Sequence, residues 1–330
     1  MADAHGGRGL PGRRAFLSVG LGAFVVATLP WARRAPKLVR RRLPLMGTIA
    51  EVGVVHRDER FAWTAAGAAL DALSECEGRL TRFRPESEVG RINEMAHVRP
   101  VTVSATTADV LEAALAVAER SGGRFDPCLG RMVVAWDVAH RRTPLAPEIS
   151  RGFASRELHR LLDLERTPQG ARVRALDADV ALDLGGIGKG HGVDRAVAVL
   201  REWGIRDGLV NVGGDLFALG RSPEGDPWTV GVRSPEDARV LLRELEVSDA
   251  AVATSGDYQQ GFDYEGRRYA HILDPVTGAP VQTPVRTLTV EAETCMEADA
   301  WATAAFGLTA GDADALLAKA PSAVQLIHVA

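Results

Sequence analysis

The stretch ALDLGGIGKGHGVD, Ala181 to Asp194, sets five glycines and one lysine behind a short apolar run that ends at Asp183. Glycine costs backbone entropy, so five of them together need a reason. Two familiar reasons fail. A phosphate loop requires Gly five residues before its Gly-Lys and Ser or Thr after it, whereas Asp183 and Gly190 stand there. The dinucleotide fingerprint fails too, because Gly186, Gly188 and Gly190 are spaced G-x-G-x-G. What remains is a strand end, a turn exposing unpaired N–H groups, and a helix through GVDRAVAVL, which together can hold an anion. A crowded strand-to-helix turn without a ligand is the plain alternative.

Outward from that turn, FAWTAAGAALDALSECEGRLTRF, TADVLEAALAVAERSG and GVDRAVAVLREWG repeat apolar residues at three and four, which predicts helices. ARVRALDADVALDL, GLVNVGG, PWTVGVR, AVATSG, YAHILDP and TLTVEAE predict strands. Many strands follow one another directly, so the expected fold is α+β, a mixed and largely antiparallel sheet with helices, in a single compact domain over 36–330.

The 330 residues are 46% hydrophobic and 25% charged with a net charge of −4, which argues against nucleic acid as a partner. Arginine outnumbers lysine 36 to 3, so Lys189 stands out as a position where Arg does not serve. Cys76, Cys128 and Cys295 have no metal-ligand spacing and read as buried small hydrophobes. Residues 1–35 read as an export signal. Arg13 and Arg14 precede Phe16 and Leu17, and the apolar run from Phe16 to Leu29 has 14 residues, short of the roughly 20 that span a membrane. The pattern resembles the twin-arginine type, either cleaved or retained as an anchor.

Two downstream signals add chemistry. In MEADAWATAAFGL, Asp299 and Thr303 lie four apart on a helix and face one way, a hard-oxygen pair suited to magnesium. The alternative is a solvated Asp and a Thr bonded to the carbonyl four residues back. In YAHILDPVTGAPV, His271 sits inside an apolar strand, either structural or, beside Thr254 to Asp257, part of a cleft.

Eight motifs in order, LMGTIAEV, FRPESEVGRIN, GRFDP, LDLGGIGKGHGVD, LVNVGGDLFALG, VATSGDY, HILDPVTG and ADAWATA, resemble the ApbE-type FAD:protein FMN transferases over nearly the whole chain after the signal. The resemblance implies an exported, magnesium-dependent enzyme that splits FAD, releases AMP and attaches FMN by a phosphoester bond to a Thr or Ser of another protein. It implies an FAD cleft at Met46, Phe83, Arg124, Phe125, Asp126, His271 and Ile272, with Asp183 and Lys189 beside the pyrophosphate. Asp299, Thr303 and the Gly186 carbonyl would hold magnesium. His271 as general base is an inference from chemistry, since the acceptor hydroxyl must lose a proton. On this reading the turn is bare because diphosphate and metal lie against it. The expected acceptor carries a D-x-x-[ST]-G-[AS]-T motif in a membrane-associated electron-transfer protein, at the periplasmic side or outer face of the cytoplasmic membrane. An FAD pyrophosphatase and a non-catalytic flavin-binding protein are the alternatives. Phe83 stands where Tyr is usual, Cys128 where Thr is, and His191 where an aromatic is.

Overall fold

A computed structural model describes residues 35–237, 239–258 and 260–329, so the export-signal reading lies outside the described residues, apart from Ala35. The framework is a seven-stranded sheet in which every pairing is antiparallel. Its spatial order is Lys37–Leu45, Thr48–His56, Gly208–Val212, Asp215–Leu219, Ala250–Gly256, Thr287–Ala292 and Gln325–Val329. Three smaller antiparallel hairpins and a three-stranded sheet made from Val101–Ser104, Gly170–Ala175 and Leu162–Thr167 complete the β structure. Among the described residues no helix is long and apolar enough to cross a membrane.

Helices Glu59–Leu80, Gly188–Glu202 and Cys295–Ala305 cover one face of the sheet. The first opens with Asp58 accepting from the Arg60 and Phe61 amides, a side-chain cap for otherwise orphaned donors. Its buried stripe includes Ala62, Ala65, Ala66, Gly67 and Ala69, small residues that let it lie close against Gly188–Glu202. The opposite face is covered by the hairpin Trp228–Arg233 and Leu241–Val247, where Trp228, Val232, Leu245 and Val247 pack on Val55, Leu216, Ala218 and Val252. Residues 35–330 form one compact unit, and the three cysteines are free and buried.

Three sequence expectations are corrected. The strand expected across 171–184 ends at Ala175. From there to Asp183 the backbone touches strand geometry only in the parallel bridge between Ala181 and Leu129. The Asn93 side chain stands in for a neighbouring strand, donating to the Leu182 carbonyl at 2.9 Å and accepting from its amide at 2.6 Å. His271 is not inside a strand: it lies between Arg267–Ala270 and Leu273–Asp274. Finally, the glycine stretch does not precede its helix, because Gly188, Gly190 and Gly192 are already helical.

Candidate functional site

A cavity of about 550 Å³ opens where the glycine stretch, the Cys295–Ala305 helix, the Met46–Gly47 turn and the segment around His271 converge. Its size falls in the range of small-molecule sites. All of the sequence-predicted residues line it: Met46, Phe83, Arg124, Phe125, Asp126, Asp183, Gly186, Lys189, His271, Ile272, Asp299 and Thr303. Met46 sits at φ +53° in the hairpin turn, and its amide donates to Glu77 at 2.9 Å. Phe83 is 77% exposed, with the Arg82 guanidinium 4.2 Å from its ring centroid.

Charge is concentrated at Lys189. Its Nζ lies 2.5 Å from Asp215 and 3.2 and 3.3 Å from the two oxygens of Asp299. Burial opposes the charged amine, but the two carboxylates outweigh it and hold the lysine protonated, well above its usual range. Asp215 is pushed up, first by burial and then by its like-charged neighbour Asp299, against the pull of Lys189.

The Cys295–Ala305 helix is fixed at both ends. The Asp194 carboxylate accepts from the Cys295 and Met296 amides at 2.8 and 2.9 Å, and burial raises its pKa to about 6. At the other end Arg124 donates to the Ala304 and Phe306 carbonyls at 3.0 and 3.3 Å. The Arg124 guanidinium is therefore an anchor for the helix that carries Asp299 and Thr303. Asp126 is likewise committed, accepting from the Cys128 amide at 2.8 Å and from the His159 amide at 3.1 Å.

The expectation of unpaired turn amides is corrected for most of the turn, though not for Gly186 or Lys189. Gly185 N–H donates to Asp183, Gly188 N–H to the Leu184 carbonyl, Gly190 N–H to Asp299 and His191 N–H to the Ile187 carbonyl. The glycines also divide by role. A β-carbon at Gly190 would lie 2.2 Å from the Cys295 carbonyl oxygen, and one at Gly192 3.0 Å from Leu73 and 3.1 Å from the Met46 sulfur. These two are bare for helix packing. Gly185, Gly186 and Gly188 line the cavity; a β-carbon at Gly185 would also lie 2.9 Å from Asp183 and one at Gly186 3.0 Å from Thr303, whereas Gly188 has nothing nearer than 3.8 Å, and none of the five has a positive φ that would by itself demand glycine.

The residues fit a magnesium ion. Asp299 offers a buried carboxylate, and the Thr303 hydroxyl has no hydrogen-bond partner among the described residues, so the back-bonded alternative is not what forms. Thr303 also lies against Gly186, where a β-carbon would come within 3.0 Å of its hydroxyl oxygen. One carboxylate, one hydroxyl and one carbonyl make a small hard-oxygen set, which magnesium completes with water and phosphate.

His271 is mostly buried. Its amide donates to the Gln260 carbonyl at 3.2 Å, and its buried Nδ1 has no partner among the described residues. Burial holds its pKa below the usual histidine value, aided by Lys189, so the ring is neutral at neutral pH.

Sequence reasoning assigned no role to Asp215, Arg82, Asn93 or Asp194. Arg82 lines the cavity and pairs with Asp183 at 2.6 Å. Asp215 stood in the quoted LVNVGGDLFALG, but nothing local distinguishes it from a hairpin-turn aspartate.

The ApbE family model matches residues 46–327. The chain is 28% identical over 287 residues to the FAD:protein FMN transferase of Salmonella typhimurium, covering 86% of this chain and 82% of that protein. It is 34% identical over 291 residues to the protein of the same name from Treponema pallidum, covering 84% and 80%. Among solved structures it resembles the ApbE protein of Thermotoga maritima, with TM-score 0.77, 28% identity, and coverage of 88% of this chain and 97% of that one.

Proposed function

The chain belongs to the ApbE family, and from that membership we propose that it is a magnesium-dependent FAD:protein FMN transferase that joins FMN to a Thr or Ser hydroxyl of another flavoprotein and releases AMP. The observation that carries this reading is the convergence of Lys189, Asp215, Asp299, Thr303 and His271 on one cavity walled by Gly185, Gly186 and Gly188.

In the proposed reaction the acceptor hydroxyl oxygen attacks the phosphorus of the FMN half. A P–O bond forms to the acceptor, the bridging P–O bond breaks, and its electron pair leaves with AMP. The hydroxyl proton passes to the neutral imidazole of His271. Lys189, held charged by its two carboxylates, places a positive charge by the diphosphate, where charge shifts during transfer. Asp299, Thr303 and the Gly186 carbonyl would hold magnesium, which when bound neutralises phosphate charge. Asp183, tied to Arg82 and to the Gly185 amide, shapes the wall where the diphosphate lies. Phe83 at the cavity mouth offers a face for a ring but no hydroxyl.

The acceptor is proposed to be a membrane-associated electron-transfer protein with a D-x-x-[ST]-G-[AS]-T motif, met after export by the twin-arginine route. The test is incubation of the protein with FAD, magnesium and such an acceptor domain. An acceptor mass increased by FMN is the expected result. Free FMN and AMP without an adduct would make the protein a pyrophosphatase, and intact FAD would make it a flavin-binding protein.

A further inference from the structure

A second pocket, of about 480 Å³, is lined by three arginines, Arg267, Arg268 and Arg286, together with Asp257 and Asp263. It is built on the same chain segment as the first cavity. The hairpin Gly261–Tyr264 and Arg267–Ala270 is closed at its base by the hydrogen bond from the His271 amide to the Gln260 carbonyl, and both of those residues line the FAD cavity. The hairpin's far end brings Arg267 and Arg268 to the second pocket. Gly256 faces the first cavity and its neighbour Asp257 the second. The Val281 amide, from the second pocket's wall, donates to the carbonyl of Ile272 in the first.

The arginines are held in place. Asp257, 6% exposed, accepts from Arg286 Nε at 2.8 and 2.6 Å, and its carbonyl accepts from Arg268 Nε at 3.2 Å. The Gln282 side-chain amide donates to the Arg268 carbonyl at 2.8 Å. Arg268 reaches Asp263 at 3.3 Å, while Arg267 has no carboxylate partner among the described residues. Three guanidiniums face two carboxylates, so the pocket carries a surplus positive charge in groups that recognise carboxylates in a fixed fork geometry.

We propose that this pocket docks an acidic side chain of the acceptor polypeptide near its modified hydroxyl, delivering that hydroxyl to His271 next door. The proposal rests on the transferase reading, since it supplies that reaction's second substrate. None of the pocket's lining residues lines the first cavity.

The test compares wild type with Arg267→Ala, Arg267→Glu and Arg268→Gln, using an acceptor flavoprotein domain that carries the D-x-x-[ST]-G-[AS]-T motif. The expected result is an acceptor KM raised about fivefold by Arg267→Ala and at least about tenfold by Arg267→Glu, with FAD affinity by fluorescence unchanged. The differences should shrink in about 0.5 M salt. Neutralising Asp or Glu residues beside the acceptor hydroxyl should raise the wild-type KM and remove most of the Arg267→Ala effect. Normal transfer with unchanged acceptor KM in all three variants overturns the docking proposal alone. Absence of transfer by the wild type, with FAD bound, overturns the transferase reading and this proposal with it.

Discussion

Alanine at Gly190 and at Gly188 should fail in opposite ways, because the two glycines, two residues apart, are bare for different reasons. At Gly190 the new β-carbon would meet the Cys295 carbonyl oxygen at 2.2 Å, the Cys295 carbonyl carbon at 2.6 Å and the Met296 Cα at 2.8 Å. All three are backbone atoms at the start of a helix capped by Asp194, so none can turn aside. Relief requires the Gly188–Glu202 and Cys295–Ala305 helices to part. That degree of overpacking costs about 3 kcal/mol, the upper end of the usual range. For a folded unit spanning residues 35–330 the unfolding entropy is large enough that each kcal/mol shifts Tm by less than about 2 °C, so Tm should fall by about 5 °C. The same displacement stretches the Gly190 N–H bond to Asp299, now 3.0 Å, and shifts Asp299 relative to Lys189.

At Gly188 the nearest atom to an added β-carbon is Leu184 Cβ at 3.8 Å, ordinary contact, and Ala is favoured over Gly in a helix by up to about 1 kcal/mol. Tm should hold or rise slightly, while FAD binding weakens because the methyl enters the cavity wall. Differential scanning calorimetry and FAD fluorescence titration on both variants decide the matter. A Gly190→Ala protein that melts with the wild type would refute the packing argument. Wild-type FAD affinity in Gly188→Ala would remove the diphosphate from that wall.

His271→Ala should lower transfer by roughly a hundredfold with FAD affinity little changed. Burial lowers the His271 pKa, so the wild-type rate should rise with pH through an ionisation below 6.5, as the protonated ring becomes the neutral base. An unchanged pH profile in the variant would end the base assignment. Asp299→Asn should abolish turnover at little cost in stability. Asp299 is buried, and its replacement removes a charge that repels Asp215 while Asn keeps its volume. Full turnover in the variant, or in wild type with magnesium chelated, would refute the metal assignment. Lys189→Met leaves Asp215 and Asp299 buried without their cation and should cost about 3–5 kcal/mol in urea unfolding, with adding Asp215→Asn recovering part of it. Equal stability of Lys189→Met and wild type would contradict that balance. Changing Arg13 and Arg14 together to Lys should retain the protein in the cytoplasm on cell fractionation, and normal export would rule out the twin-arginine route.

Helical periodicity was legible wherever one face is buried by alanines and branched residues, as along Glu59–Leu80 and Ala105–Arg120. The segment before the glycines was not legible, because its apolar alternation looks like a strand while its partners are an asparagine 89 residues away and a single bridge to Leu129. Site residues carried by local oddity were readable: a rare lysine, a run of glycines, an acid and a hydroxyl one helical turn apart. Asp215 was not, since its meaning depends on a lysine 26 residues upstream, and that lysine's second partner lies 110 residues further along. The same limit misassigned the glycines. Sequence shows that side chains are excluded but not what excludes them. Gly190 and Gly192 admit neighbouring side chains and backbone, Gly186 faces the cavity and admits the Thr303 side chain as well, and Gly188 faces the cavity alone. Both uses serve one end. Lys189 can balance Asp215 and Asp299 together only while the two helices touch at Gly190, so the glycine that never faces the cavity sets the distance on which the cavity's charge depends.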